Sequence, residues 1–328
     1  MALVDKLKNI GDAIRNKNGS TGKLTLDGMV TAINDMASVT IDGVKQSGDL
    51  DLISDYLKVS NNISTLPYNF YSGSAVVYNN EIHILGSGNS SVYYKCHYKW
   101  DGSSWTSVST LPNDFRRGSA VVLNGEIHIL GGDDSNKNHY KWDGSSWTSV
   151  STLPYNFYSG SAVVYNNEIH ILGSGYGTYT KYHYKWDGSS WTSVSTLPYK
   201  FYSASAVVLN GEIHILGSEE YYYYQSHYKW DGTSWTSVST LPYNFYYGSA
   251  VVLDGEIRIL GGGNSNTSHH KWDGSSWTFI CELPYPFTRG SAVILDGGIH
   301  ILGSSYDYDV VYYTYHYKIL QKVYRKAA

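Results

Sequence analysis

The sequence is poor in several residue types, and each shortage excludes a class of protein. Its 328 residues include two cysteines, Cys96 and Cys281, which stand far apart in the chain. They give neither a disulfide framework nor the spacing of a metal site, so we expect two unpaired thiols. Charged residues make up 16% of the chain and leave a net charge of −4. Nothing in this balance indicates the basic face that a nucleic-acid-binding protein needs, so no nucleic-acid partner is predicted.

Long apolar runs are also missing. No stretch approaches the roughly 20 apolar residues that a membrane-spanning helix needs. The N-terminal stretch "MALVDKLKNIGDAIRNKNG" is too charged for a secretory signal peptide. We therefore expect no membrane insertion and a protein that is made and folded in a cytoplasm. No phosphate loop, nucleophile motif or metal spacing is present, so the sequence predicts no cofactor.

What the sequence has in abundance is a repeated unit rich in aromatic residues. There are 33 tyrosines, 33 glycines and 10 tryptophans. A Leu-Pro pair recurs at intervals of 45, 42, 44, 44 and 42 residues. The leucines of these pairs are Leu66, Leu111, Leu153, Leu197, Leu241 and Leu283. Internal repeats with periods of about 20–50 residues indicate a repeat architecture.

Each unit is predicted to contain four short β-strands. The segments "SAVVL" and "EIHIL" are apolar and β-branched, and "NG", "DG" or "NN" joins them in the manner of a tight hairpin. The segments "HYKW" and "SWTSVS" flank "DGSS", a second tight hairpin. Four-stranded units at this spacing are typical of β-propellers. The predicted fold class is therefore all-β, a six-bladed propeller over residues 56–328.

The repeats resemble those of the kelch family across residues 66–318. The family pattern has an apolar strand pair that ends in Gly-Gly, followed by a Tyr and then a Trp. Here "EIHILGG" at Glu126–Gly132 is followed by Tyr140 and Trp147. Directly after the second strand, Gly-Gly stands only at 131–132 and 261–262, with Gly-Ser elsewhere, and phenylalanine replaces the family's arginine after the proline. The resemblance implies a kelch-like propeller but no particular function, since one fold hosts many functions.

Two segments could supply the outer strand of the last unit, which loses the pattern after "HYK" at His316–Lys318. One is the C-terminal tail "ILQKVYRKAA", with Tyr324 at the tryptophan position. The other is "YLKVSNNIST", from Tyr56 to Thr65, which resembles "SWTSVST" before a Leu-Pro pair. The second is favoured, because it would tie the ring shut.

Variation in length is confined to one loop per unit. The loop between the second and third strands has 11, 8, 10, 10, 8 and 13 residues, and the rest of the repeat keeps a constant 34. The connections between units also vary in sequence, as in "YNFYSG" and "NDFRRG". Strand direction alternates within a blade. Both variable segments are therefore predicted to emerge on one face of the propeller, and the constant hairpins on the other.

The variable segments are rich in Tyr, Ser, Gly and Asn, a composition typical of recognition surfaces. Tyrosine offers a large, stiff, amphipathic contact that also stacks on sugar rings. The ligand contacts predicted in the loops are Tyr93, Tyr94, Tyr176, Tyr179, Tyr221, Tyr222, Tyr223, Tyr224, Tyr306, Tyr308, Tyr312 and Tyr313. Those predicted at the inner rim are Arg116, Arg117, Tyr246, Tyr247 and Arg289. In an alternative interpretation, the tyrosines only extend the hairpins as good strand formers.

The repeated histidines and glutamates are predicted to be structural. The histidine of "IHIL" recurs as His83, His128, His170, His214 and His300. Equivalent positions stand too far apart around a ring to converge on one metal ion, whose ligands lie about 2–2.6 Å away. Non-repeated carboxylates occur in the variable loops at Asp133, Asp134, Glu219, Glu220, Asp307 and Asp309. They leave open an alternative function as a glycan hydrolase, which needs a carboxylate pair.

Residues 1–36 form a different kind of segment. Leu3, Leu7, Ile10 and Ile14 follow helical spacing, and a second short helix is predicted from Thr25 or Leu26. Residues 37–55 are predicted to be a linker. Such a helical hairpin is too small to hold a core alone. It must therefore dock on its own propeller, on sister copies in a homo-oligomer, or on a larger assembly.

This N-terminal segment resembles a module of tail and baseplate proteins in phages and prophages of Gram-positive bacteria. The matching residues are Gly11 to Arg15, Lys17, Gly19, Lys23 to Asp27, Met29, Ala32 and Ile33. The resemblance implies that residues 1–36 anchor the chain to tail or baseplate proteins. It also implies a location at the tail tip of a virion that is assembled in the host cytoplasm. The sequence thus predicts a receptor-binding protein for a host cell-surface glycan or protein, with a hydrolase or a purely structural tail component as alternatives.

Overall fold

The apolar, β-branched segments of the repeats fold as short antiparallel strands. The structure, a computed structural model, describes residues 60–88, 93–133, 136–175, 180–218, 224–263, 266–306 and 311–320. Within these residues the strands form six four-stranded antiparallel sheets. Each sheet is one blade of a β-propeller, so the predicted all-β, six-bladed architecture is confirmed.

The blades follow one another along the chain, and the first strand of the described residues belongs to the last blade. Blade 1 contains β2 (Ser74–Tyr78), β3 (Glu81–Gly88), β4 (Tyr93–Trp100) and β5 (Trp105–Thr110). Blade 2 contains β6 (Ser119–Leu123), β7 (Glu126–Leu130), β8 (Asn138–Trp142) and β9 (Trp147–Thr152). Blade 3 contains β10 (Ser161–Tyr165), β11 (Glu168–Leu172), β12 (Tyr182–Trp186) and β13 (Trp191–Thr196). Blade 4 contains β14 (Ser205–Leu209), β15 (Glu212–Leu216), β16 (Ser226–Trp230) and β17 (Trp235–Thr240). Blade 5 contains β18 (Ser249–Leu253), β19 (Glu256–Leu260), β20 (Ser268–Trp272) and β21 (Trp277–Glu282). Blade 6 contains β22 (Ser291–Leu295), β23 (Gly298–Tyr306), β24 (Val311–Leu320) and β1 (Ser60–Thr65).

The first strand of each blade lies next to the axis. β2 contacts β6 and β22, and the contacts continue through β10, β14 and β18 until the circle closes. A side-chain hydrogen bond accompanies this contact: the Ser74 hydroxyl accepts from the Ala120 amide at 3.1 Å, and its counterpart Ser119 accepts from the Ala162 amide at 3.1 Å. The repeated "SA" pair therefore links one inner strand to the next.

The hydrophobic core lies between adjacent blades. Between blades 1 and 2, Val76 and Leu85 pack against Phe115, Ile127 and Trp142. The phenylalanine that departs from the kelch pattern is the centre of this packing, with Phe115 only 1% exposed. Burying one such side chain contributes about 1.5–3 kcal/mol. Since each blade completes the core of its neighbour, the blades are expected to fold cooperatively.

A chain of polar side chains also runs through the blade interfaces. In blade 1, His83 Nδ1 lies 2.8 Å from His97 Nε2, and His97 Nδ1 lies 2.8 Å from Ser109 Oγ. The Ser109 hydroxyl also accepts a hydrogen bond from the indole Nε1 of Trp147 in blade 2, at 3.0 Å. Equivalent chains occur in blades 2, 3 and 4. The repeated histidines thus have structural partners, in agreement with the prediction.

The N-terminal strand closes the propeller. β1 pairs with β24 from Ser60↔Ile319 to Thr65↔Tyr315 and forms the outer strand of blade 6. This is the closure favoured from the resemblance of "SNNIST" to "WTSVST". The outer position of blade 6 is thus held by β1, and the C-terminal tail after Leu320, with Tyr324, lies outside the described residues.

The predicted helical segment 1–36 and linker 37–55 lie outside the described residues. The described part of the chain contains no helix. Accordingly, none of its described segments is a helix long and apolar enough to cross a membrane. The compact unit that carries the propeller spans Ser54–Arg325, and a second unit comprises Met1–Ile53 with Lys326–Ala328.

Candidate binding face

Strand direction divides the propeller into two faces. The two tight hairpins of each blade lie on one face, which we call the hairpin face. The loops between second and third strands and the connections between blades lie on the other, which we call the loop face. There the two kinds of segment touch: the Asp133 amide donates to the Arg116 carbonyl at 2.7 Å, and the Gly263 amide donates to the Tyr246 carbonyl at 2.8 Å. The described residues therefore match the predicted separation of constant and variable segments.

The hairpin face is built from repeated local geometry. Asn79 and Asn80 have φ values of 50° and 61°, the left-handed conformations that a two-residue type I′ hairpin needs. In the second hairpin, Asp101 Oδ1 accepts from the amides of Ser103 and Ser104, each at 2.8 Å. These bonds lower the pKa of Asp101 to about 2. Because the geometry recurs blade after blade, this face offers no unique constellation of residues.

On the loop face, six described residues form a closed ring of backbone hydrogen bonds. Each amide donates to the carbonyl oxygen of the equivalent residue in the preceding blade, with N···O distances of 2.6 to 2.8 Å. The Ser72 amide donates to the Arg289 carbonyl and so closes the circle. The members of this axial ring are Ser72, Arg117, Ser159, Ser203, Tyr247 and Arg289. One residue comes from each connection between blades, so the ring surrounds the propeller axis.

Every residue of the axial ring has a left-handed backbone, with φ between 52° and 58°. This conformation costs a residue with a Cβ roughly 1–2 kcal/mol, and glycine would avoid the cost. The ring is made by backbone atoms alone, so its side chains can differ without breaking it. Strained backbone that carries unequal side chains at one place is typical of a functional site.

Arg117 extends from the axial ring towards the axis. Its Nη1 donates to the Tyr158 hydroxyl at 2.6 Å, and its guanidinium carbon lies 5.1 Å from the centre of the Tyr158 ring. It also interacts electrostatically with Tyr247, Tyr202 and Arg289. Burial lowers the pKa of Arg117, but the three tyrosines raise it by more, and the net shift is upward. Groups from four other blades, blades 3 to 6, therefore interact with this guanidinium.

A run of aromatic rings continues from the axis into blade 5. The guanidinium carbon of Arg289 lies 4.2 Å from the centre of the Tyr247 ring, a cation–π contact. Tyr247 contacts Tyr246 at a centroid separation of 5.7 Å, and Tyr246 contacts Tyr224 at 5.1 Å with an interplanar angle of 34°. Tyr224 belongs to a loop between strands and Tyr246 to a connection. The two variable segments thus share one aromatic surface.

A polar hollow lies on the same face at blade 2 and its neighbours. Its volume is about 660 Å³. The lining residues are Lys95, Asn113, Asp114, Asp133, Asn136, Lys137, Asn138 and Asn156. They come from two loops and two connections. Amides, ammonium groups and carboxylates supply the donors and acceptors that a hydroxyl-rich ligand requires.

Of the seventeen ligand contacts predicted from the sequence, the structure describes six with their side chains: Arg116, Arg117, Tyr224, Tyr246, Tyr247 and Arg289. Arg117, Tyr247 and Arg289 are brought together at the axis, and Tyr246 and Tyr224 lie beside them. Arg116 is buried, with 8% exposure, and presents little surface to a ligand. Their contact with a ligand stays a prediction.

For five other predicted contacts the structure gives the backbone. Tyr93 and Tyr94 lie in β4, Tyr306 in β23, and Tyr312 and Tyr313 in β24. Tyr94 pairs with Ser87, and Tyr313 pairs with Ser304, so these strands extend further than their counterparts in blades 2 to 5. The alternative interpretation, in which tyrosines lengthen hairpins, agrees with the backbone here. The remaining predicted contacts lie outside the described residues: Tyr176, Tyr179, Tyr221, Tyr222, Tyr223 and Tyr308.

Sequence reasoning did not single out Tyr158 and Tyr202, which approach Arg117 from blades 3 and 4. Their signal was weak, because "NFYS" at Tyr158 and "KFYS" at Tyr202 are parts of the repeated connection between units. It also missed the polar hollow, although the short loop "GGDDSNKN" is rich in Asn and Asp. Among the described residues no group of three or more His, Cys, Asp or Glu side chains has the arrangement of a metal site.

Comparison with known proteins supports the fold. No family model matches the chain, and no curated protein matches it. Among solved structures the chain is similar to that of YjhT, with 16% sequence identity and a TM-score of 0.68. The match covers 79% of this chain and 97% of that chain. At this level of identity the likeness shows the six-bladed β-propeller fold alone.

Proposed function

We propose that this chain is a receptor-binding protein of a phage tail or tail-like particle, and that its loop face recognises a glycan or protein on the host cell surface. The observation that carries the proposal is the separation of the two faces. Loops of unequal length and connections of unequal sequence share one end of a scaffold whose other end repeats itself. Binding residues are often placed on loops that a rigid scaffold positions.

The chemistry of the loop face supports adhesion. Tyr224 and Tyr246 form an amphipathic aromatic surface, which suits contact with sugar rings or with a protein. The polar hollow beside blade 2, of about 660 Å³, has the size of a small-molecule site, for which roughly 300–1,000 Å³ is usual. In this proposal the hollow accepts one unit of a hydroxyl-rich polymer and the tyrosines hold neighbouring units. Several copies of the chain on one particle would multiply weak contacts by avidity.

The phage-tail part of the proposal rests on the N-terminal residues that resemble tail and baseplate modules, such as Lys23 to Asp27. In this proposal residues 1–36 bind tail proteins and the propeller is kelch-like. The carbohydrate or protein receptor is then met at the tail tip. No catalytic step is assigned to the loop face.

The proposal is tested by binding labelled full-length protein to Gram-positive host cells. Replacing Tyr221, Tyr222, Tyr223, Tyr224, Tyr312 and Tyr313 together by alanine should reduce adsorption strongly, because it removes aromatic rings that are predicted to contact the receptor. The matched control is Phe279→Ser. Phe279 is exposed on the outer strand β21, and the equivalent residue in other blades is serine, as at Ser107. The control should bind like the unaltered protein.

Other outcomes separate the alternatives. Unchanged adsorption by the tyrosine variants would show that this surface is not the binding site. Release of sugar from host wall material would identify a hydrolase instead. Protein that ignores cells, and that is found buried within intact particles, would be a structural tail component.

A further inference from the structure

The side chains of the axial ring are unequal in charge. Three blades carry serine, whereas blades 2 and 6 carry Arg117 and Arg289 and blade 5 carries Tyr247. The serines show that a small side chain satisfies the backbone geometry. The arginines are therefore not required to build the ring, and their presence at its centre needs another explanation.

Two guanidinium groups face the same region of the axis. Arg117 and Arg289 flank Ser72 in the axial ring: the Arg117 amide donates to the Ser72 carbonyl, and the Ser72 amide donates to the Arg289 carbonyl, each at 2.6 Å. Repulsion from Arg289 accordingly acts to lower the pKa of Arg117. Among the described residues no carboxylate forms an ion pair with Arg117. Its Nε is buried and makes no hydrogen bond. Two positively charged groups are thus held near each other, and Arg117 has no carboxylate partner among the described residues. This arrangement favours the binding of an anion.

The surrounding groups also favour an anion over a cation. The rings of Tyr158 and Tyr247 are already covered by guanidinium groups at 5.1 Å and 4.2 Å, so they cannot serve as a cage for an ammonium ligand. The hydroxyl of Tyr158 and the N–H groups of Arg117 are hydrogen-bond donors. Arginine binds carboxylate and phosphate groups through two parallel hydrogen bonds, which are stronger than hydrogen bonds between neutral groups.

We propose that the axial cluster of Arg117, Arg289, Tyr158, Tyr202 and Tyr247 is an oxyanion site, which binds a phosphate or carboxylate group carried by the receptor. The inference rests on the proposed function for one point, that the anionic group is carried by the host receptor. It adds the chemical class of the receptor: an anionic polymer, whose charged group sits at the propeller axis while its neutral units occupy the tyrosine surface and the polar hollow.

The test uses full-length protein titrated with sodium phosphate, sodium glucuronate and glucose at constant ionic strength. Binding is followed by calorimetry and by the shift in melting temperature. At least one of the two anions should bind saturably, and glucose should not bind at the axis. Phosphate alone would indicate a phosphate-bearing polymer, and glucuronate alone a uronic-acid polymer.

The variants are Arg117→Ser, Arg289→Ser and the double variant, which copy the serine that three blades already carry. Each single change should weaken anion binding about ten- to a hundredfold, and the double change should abolish it. The anion affinity of Arg117→Lys should lie between those of the unaltered protein and Arg117→Ser, since lysine keeps the charge but loses the bidentate geometry. The control Lys181→Gln removes one positive charge from the loop face away from the axis and should leave the affinity unchanged. Absence of saturable binding by either anion, or equal binding by the double variant, would overturn the proposal.

Cell adsorption separates this inference from the proposed function. If the unaltered protein and the double variant adsorb equally while neither anion binds, the oxyanion site is wrong and the receptor-binding role stands. If anions bind through Arg117 and Arg289 but the protein does not adsorb to cells, the site stands and the receptor-binding role is wrong.

Discussion

The hydroxyl of Ser64 lies 2.9 Å from Nδ1 of His316, although 252 residues separate them in the chain. The same hydroxyl accepts a hydrogen bond from the indole of Trp105 at 3.0 Å. His316 in turn lies 2.8 Å from His300. Ser64 therefore takes the place in blade 6 that Ser109 has in blade 1, and the N-terminal strand restores the polar chain at the closing interface.

Ser64→Ala is expected to lower the free energy of unfolding by about 1–3 kcal/mol, because it leaves His316 and Trp105 without a shared partner in a buried setting. Ser109→Ala is the matched control, since it removes the same contacts within a blade made of consecutive strands. Chemical denaturation should show similar losses for both. Hydrogen exchange should differ, with faster exchange in β24 for Ser64→Ala alone. Equal exchange in β24 would mean that Ser64 does not hold the closure.

Acidification is expected to destabilise the propeller steeply. Burial lowers the pKa of His83 to about 4 and that of His97 to about 3, and the histidine pairs of blades 2, 3, 4 and 6 behave in the same way. An unfolded histidine titrates near about 6.5. As the pH falls below this value the unfolded chain takes up protons first. The full stability is therefore present above about pH 6.5 and is lost towards pH 4.

The loss per histidine is about 1.4 kcal/mol for each pH unit within this window. Melting temperatures measured from pH 7.5 to pH 4 should fall progressively. His214→Gln removes one titrating group and should make the decline shallower. A melting temperature that stays constant down to pH 4.5 would contradict the burial of neutral histidine pairs.

A glycine at the end of the second strand sets the distance between blades. In blade 3, Gly173 has φ of 73°, and a Cβ there would lie 2.3 Å from the Phe201 carbonyl oxygen of blade 4. Gly211 has nearly the same φ, 75°, but open space around it. Gly211→Ala should cost roughly 1–2 kcal/mol from backbone strain alone. Gly173→Ala should cost clearly more, because the backbone of the next blade must move, and denaturation of the two variants measures the difference.

Blade 5 offers a stabilising change. Cys281 stands where other blades have the serine of the polar chain, and its sulfur lies 3.7 Å from His269 Nδ1, against 2.8 Å for the Ser109 oxygen and His97. Cys281→Ser is expected to raise the free energy of unfolding by about 0.5–1 kcal/mol through a stronger hydrogen bond. Cys96 does not stand at the serine position of a polar chain, so Cys96→Ser should have no comparable effect on the free energy of unfolding. A lower melting temperature for Cys281→Ser would show that the site is fitted to sulfur.

The sequence predicted the propeller because its repeats carry local signals. The pair Asn79 and Asn80 favours a type I′ turn and so predicts the hairpin. The segment "SNNIST" resembles an outer strand closely enough to predict that it closes the propeller. The axial ring could not be predicted in this way. Ser72 and Arg117 belong to no turn signature, and their left-handed backbone follows from contact with equivalent residues of other blades. The pairing of Tyr224 with Tyr246 likewise depends on where a loop and a connection meet in space.

The direction of β1 has a mechanical consequence. Ser60 lies at its hairpin-face end and Thr65 at its loop-face end, and its hydrogen bonds to β24 are perpendicular to the strand. A load that draws Ser60 away from a molecule held on the loop face acts along β1. Such tension strains all the bonds of this strand together, in shear, rather than peeling them apart one by one. The seam of the propeller is thus oriented to withstand a pull between its two faces.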